Sequence, residues 1–118
     1  MKYKESKAIR IQTERSQHKE HSTPLFLTSS FVFDSAEDLK AAFDETEEAY
    51  IYSRYSNPTT NEFIDKVCML EGAEAGFATA SGMASVFASL MTFLSSGDHV
   101  LSCASIFGAT HTILHKYF

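Results

Sequence analysis

The chain has 118 residues, 44% of them hydrophobic, with a formal net charge of -5 and a pI of about 5.4. Its basic residues gather near the N-terminus, interleaved with acids, so the continuous basic stripe of a nucleic-acid-binding protein is excluded. No apolar core of a secretory signal opens the chain, and its most apolar run, Met83 to Leu94, is too short and too often broken by Ser85, Ser89 and Thr92 to cross a bilayer.

Residues 1 to about 23 read as a polar, poorly structured arm. Pro24 then introduces a mostly apolar, extended stretch, Leu25 to Phe33. Ser35 is a plausible N-cap with Asp38 at N3, so a short helix is expected from Ala36 to about Phe43, burying Leu39 and Phe43. The acidic run Asp44 to Glu48 reads as a solvated turn. Tyr52-Ser53-Arg54-Tyr55-Ser56-Asn57-Pro58-Thr59 places two phenols and a guanidinium close together before Asn-Pro stops the backbone. As an extended strand it would send Tyr52 and Arg54 to one face and Ser53 and Tyr55 to the other. A phenol donor beside a planar cationic fork can grip a phosphate, although a surface loop accounts for the same residues.

Pro58 suits the first position of a second helix, which places Phe63, Val67 and Leu70 on one stripe with Ile64 and Cys68 beside it and ends at Gly72. Ala75 to Ala80 reads as a buried strand. A helix from Gly82 to about Leu94 is apolar almost all round, the mark of a helix inside a larger fold. His99 to Cys103 reads as a second strand, which makes a βαβ unit with parallel strands, and a last helix begins near Gly108. Two parallel strands do not make a covered sheet, so the chain is expected to be the N-terminal piece of a longer protein. Cys68 and Cys103 are expected to be small buried thiols in a reducing compartment. His111 and His115 share a helix face, and without a third ligand at a recognisable spacing they read as polar surface, with no metal site expected.

Ser81-Gly82-Met83 sits where a strand meets a helix N-terminus. Unpaired amides and the helix dipole there favour an anion, Gly82 lets it approach the backbone, and the Ser81 hydroxyl adds a donor. No Gly-Lys-Ser/Thr follows and no G-x-G-x-x-G is present, which argues against a nucleotide. Many such turns bind nothing.

Taken together, Tyr52 to Thr59, Leu70-Glu71-Gly72-Ala73-Glu74, Ala78-Thr79-Ala80-Ser81-Gly82-Met83 and Ser96-Gly97-Asp98-His99-Val100 resemble the Cys/Met-metabolism family of pyridoxal-phosphate (PLP) enzymes, from about His21 to Phe118. The resemblance implies the N-terminal part of an α/β, aspartate-aminotransferase-like (fold type I) transferase with an incomplete parallel sheet. Residues 1–57 would be an arm and short helix making dimer and cofactor contacts, and residues 58–118 the start of the large cofactor-binding domain. It further implies that Ser81, Gly82 and Met83 hold the cofactor phosphate in cis. Tyr52 and Arg54 would reach the phosphate of a neighbouring subunit in a dimer, assembled as a homotetramer.

Phe107-Gly108 stands where many members have Tyr-Gly. With Ser105 to Thr110 and His115-Lys116-Tyr117-Phe118 it looks most like the O-succinylhomoserine sulfhydrylase branch. Phe keeps the ring that stacks on the cofactor and lacks the phenol. The implied reaction is γ-replacement, giving homocysteine from O-succinylhomoserine or O-acetylhomoserine and sulfide, as part of methionine biosynthesis in the cytoplasm. Methionine γ-lyase and cystathionine enzymes are same-family alternatives, and a non-catalytic anion-binding or interaction fragment is an alternative outside it. None of the lysines lies in the family's Ser-x-Thr-Lys context, so no Schiff-base lysine and no catalytic residue is assigned, and the chain alone is expected to be inactive.

Overall fold

The structure, a computed structural model, describes residues 3–118 and falls into two compact units, Met1–Phe77 and Ala78–Phe118. The first contains α1 (Lys4–Arg10), α2 (Ala36–Phe43) and α3 (Pro58–Glu71); the second contains α4 (Gly82–Phe93) and α5 (Gly108–Tyr117).

The helix boundaries follow local chemistry. Ser35 caps α2 by accepting the Asp38 amide at 3.0 Å. Asn57 caps α3, Pro58 fills its first turn, and Gly72 closes it in the left-handed region at φ 74°. The covered face of α2 differs from expectation. In α2 the buried residue is Ala42, while Leu39 and Phe43 remain partly or largely exposed. In α3 the Phe63–Val67–Leu70 stripe is exposed, and Ile64 and Cys68 are the half-covered side. The backbone at Gly76 crosses that side so closely that a Cβ there would lie 2.7 Å from Cys68 Sγ and 3.3 Å from Ile64 Cγ2. Cys68 is thus only half-buried, and Cys103 is exposed, where two buried thiols were expected.

The N-terminal arm is also more ordered than its polarity suggests. Residues 4–10 form α1, which packs on α3, and Lys4 Nζ donates to the Leu70 carbonyl at 3.3 Å. Further along, Glu62 of α3 gathers the arm. Its carboxylate accepts from the Thr13 amide at 2.9 Å, from the Thr13 hydroxyl at 3.3 Å and from the Thr23 hydroxyl. Its other oxygen pairs with Lys66 at 2.5 Å, one helical turn on. A polar segment can therefore be held without an apolar face, provided that one carboxylate collects its donors.

No regular strand ladder forms among the described residues. The one bridge pairs Ser30 with Tyr52 in antiparallel sense, supported by Phe31 N to Ile51 O at 3.1 Å and Ser53 N to Ser29 O at 2.9 Å. Neither of the expected parallel strands, 75–80 and 99–103, forms. The physical reason is burial: parallel strands persist inside a sheet covered on both faces, whereas Phe77 and Leu101 are exposed here. None of the described helices is long and apolar enough to cross a membrane.

Glu62 sets an acid limit on arm docking. Burial alone would raise its pKa. Hydrogen bonds from Lys66, Thr23 and Thr13 outweigh that and lower it from 4.5 to about 2. The folded carboxyl titrates below the unfolded one, so its stabilisation is full above about pH 4.5 and is lost as pH falls towards 2. Hydrogen exchange at the Thr13 amide should accelerate across that window. Glu62→Gln, with one acceptor in place of two, should exchange faster at neutral pH and lose the titration.

Candidate functional site

Two candidate anion grips lie in separate units. In the second unit, Ser81 caps α4: its Oγ accepts the Ala84 amide at 3.1 Å, and its carbonyl accepts the Ser85 amide at 3.1 Å and the Thr79 hydroxyl at 2.9 Å. The amides of Gly82 and Met83 have no protein acceptor among the described residues. No acidic side chain occupies the first turn to neutralise the positive end of the helix dipole. A Cβ added at Gly82 would meet nothing within 4 Å, so packing within this chain does not require glycine there. Two free amides, a serine hydroxyl with a proton to donate and an open approach suit a phosphate monoester.

In the same unit, Phe107 is the N-cap of α5 and makes no side-chain cap bond; its ring is exposed and free to lie against a planar ligand. The turn before it is closed by Ile106 N to Cys103 O at 3.1 Å. The Cys103 thiol sits 3.0 Å from the Ser105 hydroxyl, whose hydrogen bonds lower its pKa. Farther along α5, the His111 and His115 rings meet through their Nε2 atoms at 3.1 Å.

In the first unit, residues 52–56 make a turn where an extended strand was expected. The Tyr52 carbonyl accepts two amides, from Tyr55 at 2.9 Å and Ser56 at 3.2 Å. Alternation therefore fails: Arg54 Cζ lies 4.6 Å from the Tyr52 ring centre and 5.3 Å from that of Tyr55. Tyr55, assigned to the opposite face by strand geometry, shares the arginine with Tyr52.

The turn is held by Asn57, which is 5% exposed. Its Oδ1 accepts the Thr59 amide at 2.9 Å, and its Nδ2 donates to the Phe26 carbonyl at 3.0 Å and the Ser53 hydroxyl at 2.9 Å. Ser53 passes the connection on by donating to the Thr28 carbonyl at 2.5 Å, while Thr59 Oγ1 accepts the Phe26 amide at 3.0 Å. Asn-Pro in the sequence signals a helix start; the tie from Asn57 to Ser53 and Phe26 is a tertiary contact that no local signal reveals.

Comparison with known proteins gives a consistent picture. The profile of the Cys/Met metabolism PLP-dependent enzymes matches residues 5–118. An O-succinylhomoserine sulfhydrylase of Pseudomonas aeruginosa is 46% identical over 111 residues, covering 94% of this chain and 28% of that protein. An L-methionine gamma-lyase of Fusobacterium nucleatum is 38% identical over 108 residues, covering 92% and 27%. The crystal structure of an O-acetylhomoserine (thiol)-lyase assigned in Campylobacter jejuni, holding a pyridoxyl-lysine phosphate, superposes with a TM-score of 0.86 at 32% identity, covering 96% of this chain and 28% of that one. The chain thus spans between a quarter and a third of the length of these relatives, and its fold is that of the N-terminal part of a fold type I enzyme.

Replacing Asn57 by Ala removes the cap of α3 and leaves the Phe26 carbonyl without its donor. The expected cost is roughly 2–3 kcal/mol, read as a lowered denaturation midpoint. Asn57→Asp keeps the cap acceptor but sets a carboxylate oxygen against the Phe26 carbonyl where Nδ2 donates, and should lower the midpoint as well.

Proposed function

The chain belongs to the family of Cys/Met metabolism PLP-dependent enzymes, and from that premise we propose that it forms part of an enzyme making homocysteine by γ-replacement. The substrates are O-succinylhomoserine, or O-acetylhomoserine, and sulfide. The carrying observation is the Ser81-Gly82-Met83 turn, whose two unpaired amides and open glycine fit a phosphate monoester. The 46% identity to a sulfhydrylase supports this branch, as does the sequence around Phe107.

The cofactor, when bound, supplies an electron sink for carbanions on the amino-acid substrate. The residues of this chain bind and orient. Gly82 and Met83 offer backbone N–H groups to the phosphate, and Ser81 adds its hydroxyl proton. Phe107 offers a ring face to the pyridine ring and, without a phenol, no proton. Tyr52 and Arg54 offer a phenol donor and a charged fork to the phosphate held by a second copy of the chain, which makes the active protein a dimer, or a homotetramer built from two such dimers. Catalytic proton transfer is assigned to no residue here.

The second reading within the family is a methionine γ-lyase, favoured by the 38% identity to such enzymes. Assay of the full-length protein separates the two. The proposed branch gives homocysteine from O-succinylhomoserine and sulfide, and little methanethiol from methionine. Methanethiol release as the main activity would replace it with the lyase, and cystathionine formed from cysteine would point to the synthase.

Gly82→Ala tests the turn directly. A Cβ there meets open space, and Ala is the better helix former, so the melting temperature of the cofactor-free protein should be unchanged or higher. Affinity for PLP should nevertheless fall, because the methyl group obstructs the approach to the amides. Unchanged affinity in this variant would remove the turn from the site.

A further inference from the structure

We propose that Tyr55 is a positioning residue for Arg54, its ring acting with that of Tyr52 to hold the guanidinium ready for a phosphate monoester. The inference rests on the reading above that Arg54 grips the cofactor phosphate of a second copy.

The geometry is specific to the turn. Because the Tyr52 carbonyl takes both the Tyr55 and Ser56 amides, the chain doubles back and brings Tyr55 to the side on which Tyr52 and Arg54 lie. Both rings then stand within the ~6 Å reach of a cation–π interaction, at 4.6 and 5.3 Å from the guanidinium carbon. The contact engages the charge through ring faces and uses none of the five N–H donors, which remain available for a bidentate bond to phosphate. Arg54 forms no ion pair among the described residues; the pair present there joins Lys66 and Glu62. A carboxylate partner would compete with an anionic ligand, whereas an aromatic ring does not.

Packing does not account for Tyr55. It is 71% exposed. Its ring serves instead to reduce the freedom of a long, flexible side chain before the ligand arrives, so that less is lost when the phosphate is bound. Asn57 and Ser53 fix the turn beneath it and thereby fix which ring meets the arginine.

The test uses the full-length protein prepared without cofactor and titrated with PLP, with the dissociation constant read from the absorbance of the bound cofactor. Tyr55→Leu should raise the constant about two- to five-fold, with an unchanged melting temperature. Tyr55→Phe, which keeps the ring, should match the wild type. In an Arg54→Ala background, itself weakened, Tyr55→Leu should add nothing. Wild-type affinity in Tyr55→Leu, alongside weakened binding in Arg54→Ala, would overturn the positioning role and leave Arg54 in the site. An equal loss from Tyr55→Leu in both backgrounds would show that it does not act through the arginine. A loss in Tyr55→Phe as large as in Tyr55→Leu would transfer the role to the hydroxyl. Wild-type affinity in Arg54→Ala would overturn the phosphate reading of that residue, and this proposal with it.

Discussion

One buried amide organises the first unit. Asn57 faces three ways at once: it caps α3 through Oδ1 and ties both the Phe26 carbonyl and the Ser53 hydroxyl through Nδ2. Asparagine is suited to this because its amide is a donor and an acceptor at once, where aspartate only accepts and serine has a single donor proton. The bonds are made at 5% exposure, where water does not compete and a missing partner would be costly. The start of a helix, a turn and a strand-like segment thereby share one anchor, and the Tyr52, Arg54 and Tyr55 side chains inherit their placement from it.

Helix ends were legible in the sequence because their signals are local. Ser35, Pro58, Gly72 and Gly82 each act within a turn of where they stand, and α2, α3 and α4 begin, and α3 ends, where those residues predict. Faces were less legible. Periodicity groups Phe63, Val67 and Leu70 of α3 on one stripe without saying which side is covered; Ile64 and Cys68 are the covered side because Gly76 brings the backbone across them. The arm was misread for a related reason. Its apolar content is low, but its threonines reach Glu62 across tens of residues, a contact that hydrophobic periodicity cannot register. At Tyr55, period-two alternation failed because two amides converge on one carbonyl and turn the chain.

The second unit shows the complementary case. The α4 helix is apolar on nearly every side, and none of its residues is buried. Phe93 and Leu101 are almost fully exposed, and the edge-on contact of Phe87 with Tyr117 at 5.8 Å joins α4 to α5 without covering either. Apolar surface of this extent asks for burial, and the relatives, more than three times the length of this chain, have the material to provide it. What the unit does carry complete is the capped N-terminus of α4, because a cap and two free amides need only the residues of one turn.

The reach of Glu62 also bears on the order in which contacts can form. Its bonds to Thr13 and Thr23 close loops of 49 and 39 residues, a difference worth only about 0.2 kcal/mol in chain entropy. Either closure is far more demanding than the nearby contacts of α3, whose two caps lie within or beside the helix. Once Thr23 has docked, only the short stretch back to Thr13 is left to close. Loop closure thus costs the docking of the arm more than it costs the caps of α3.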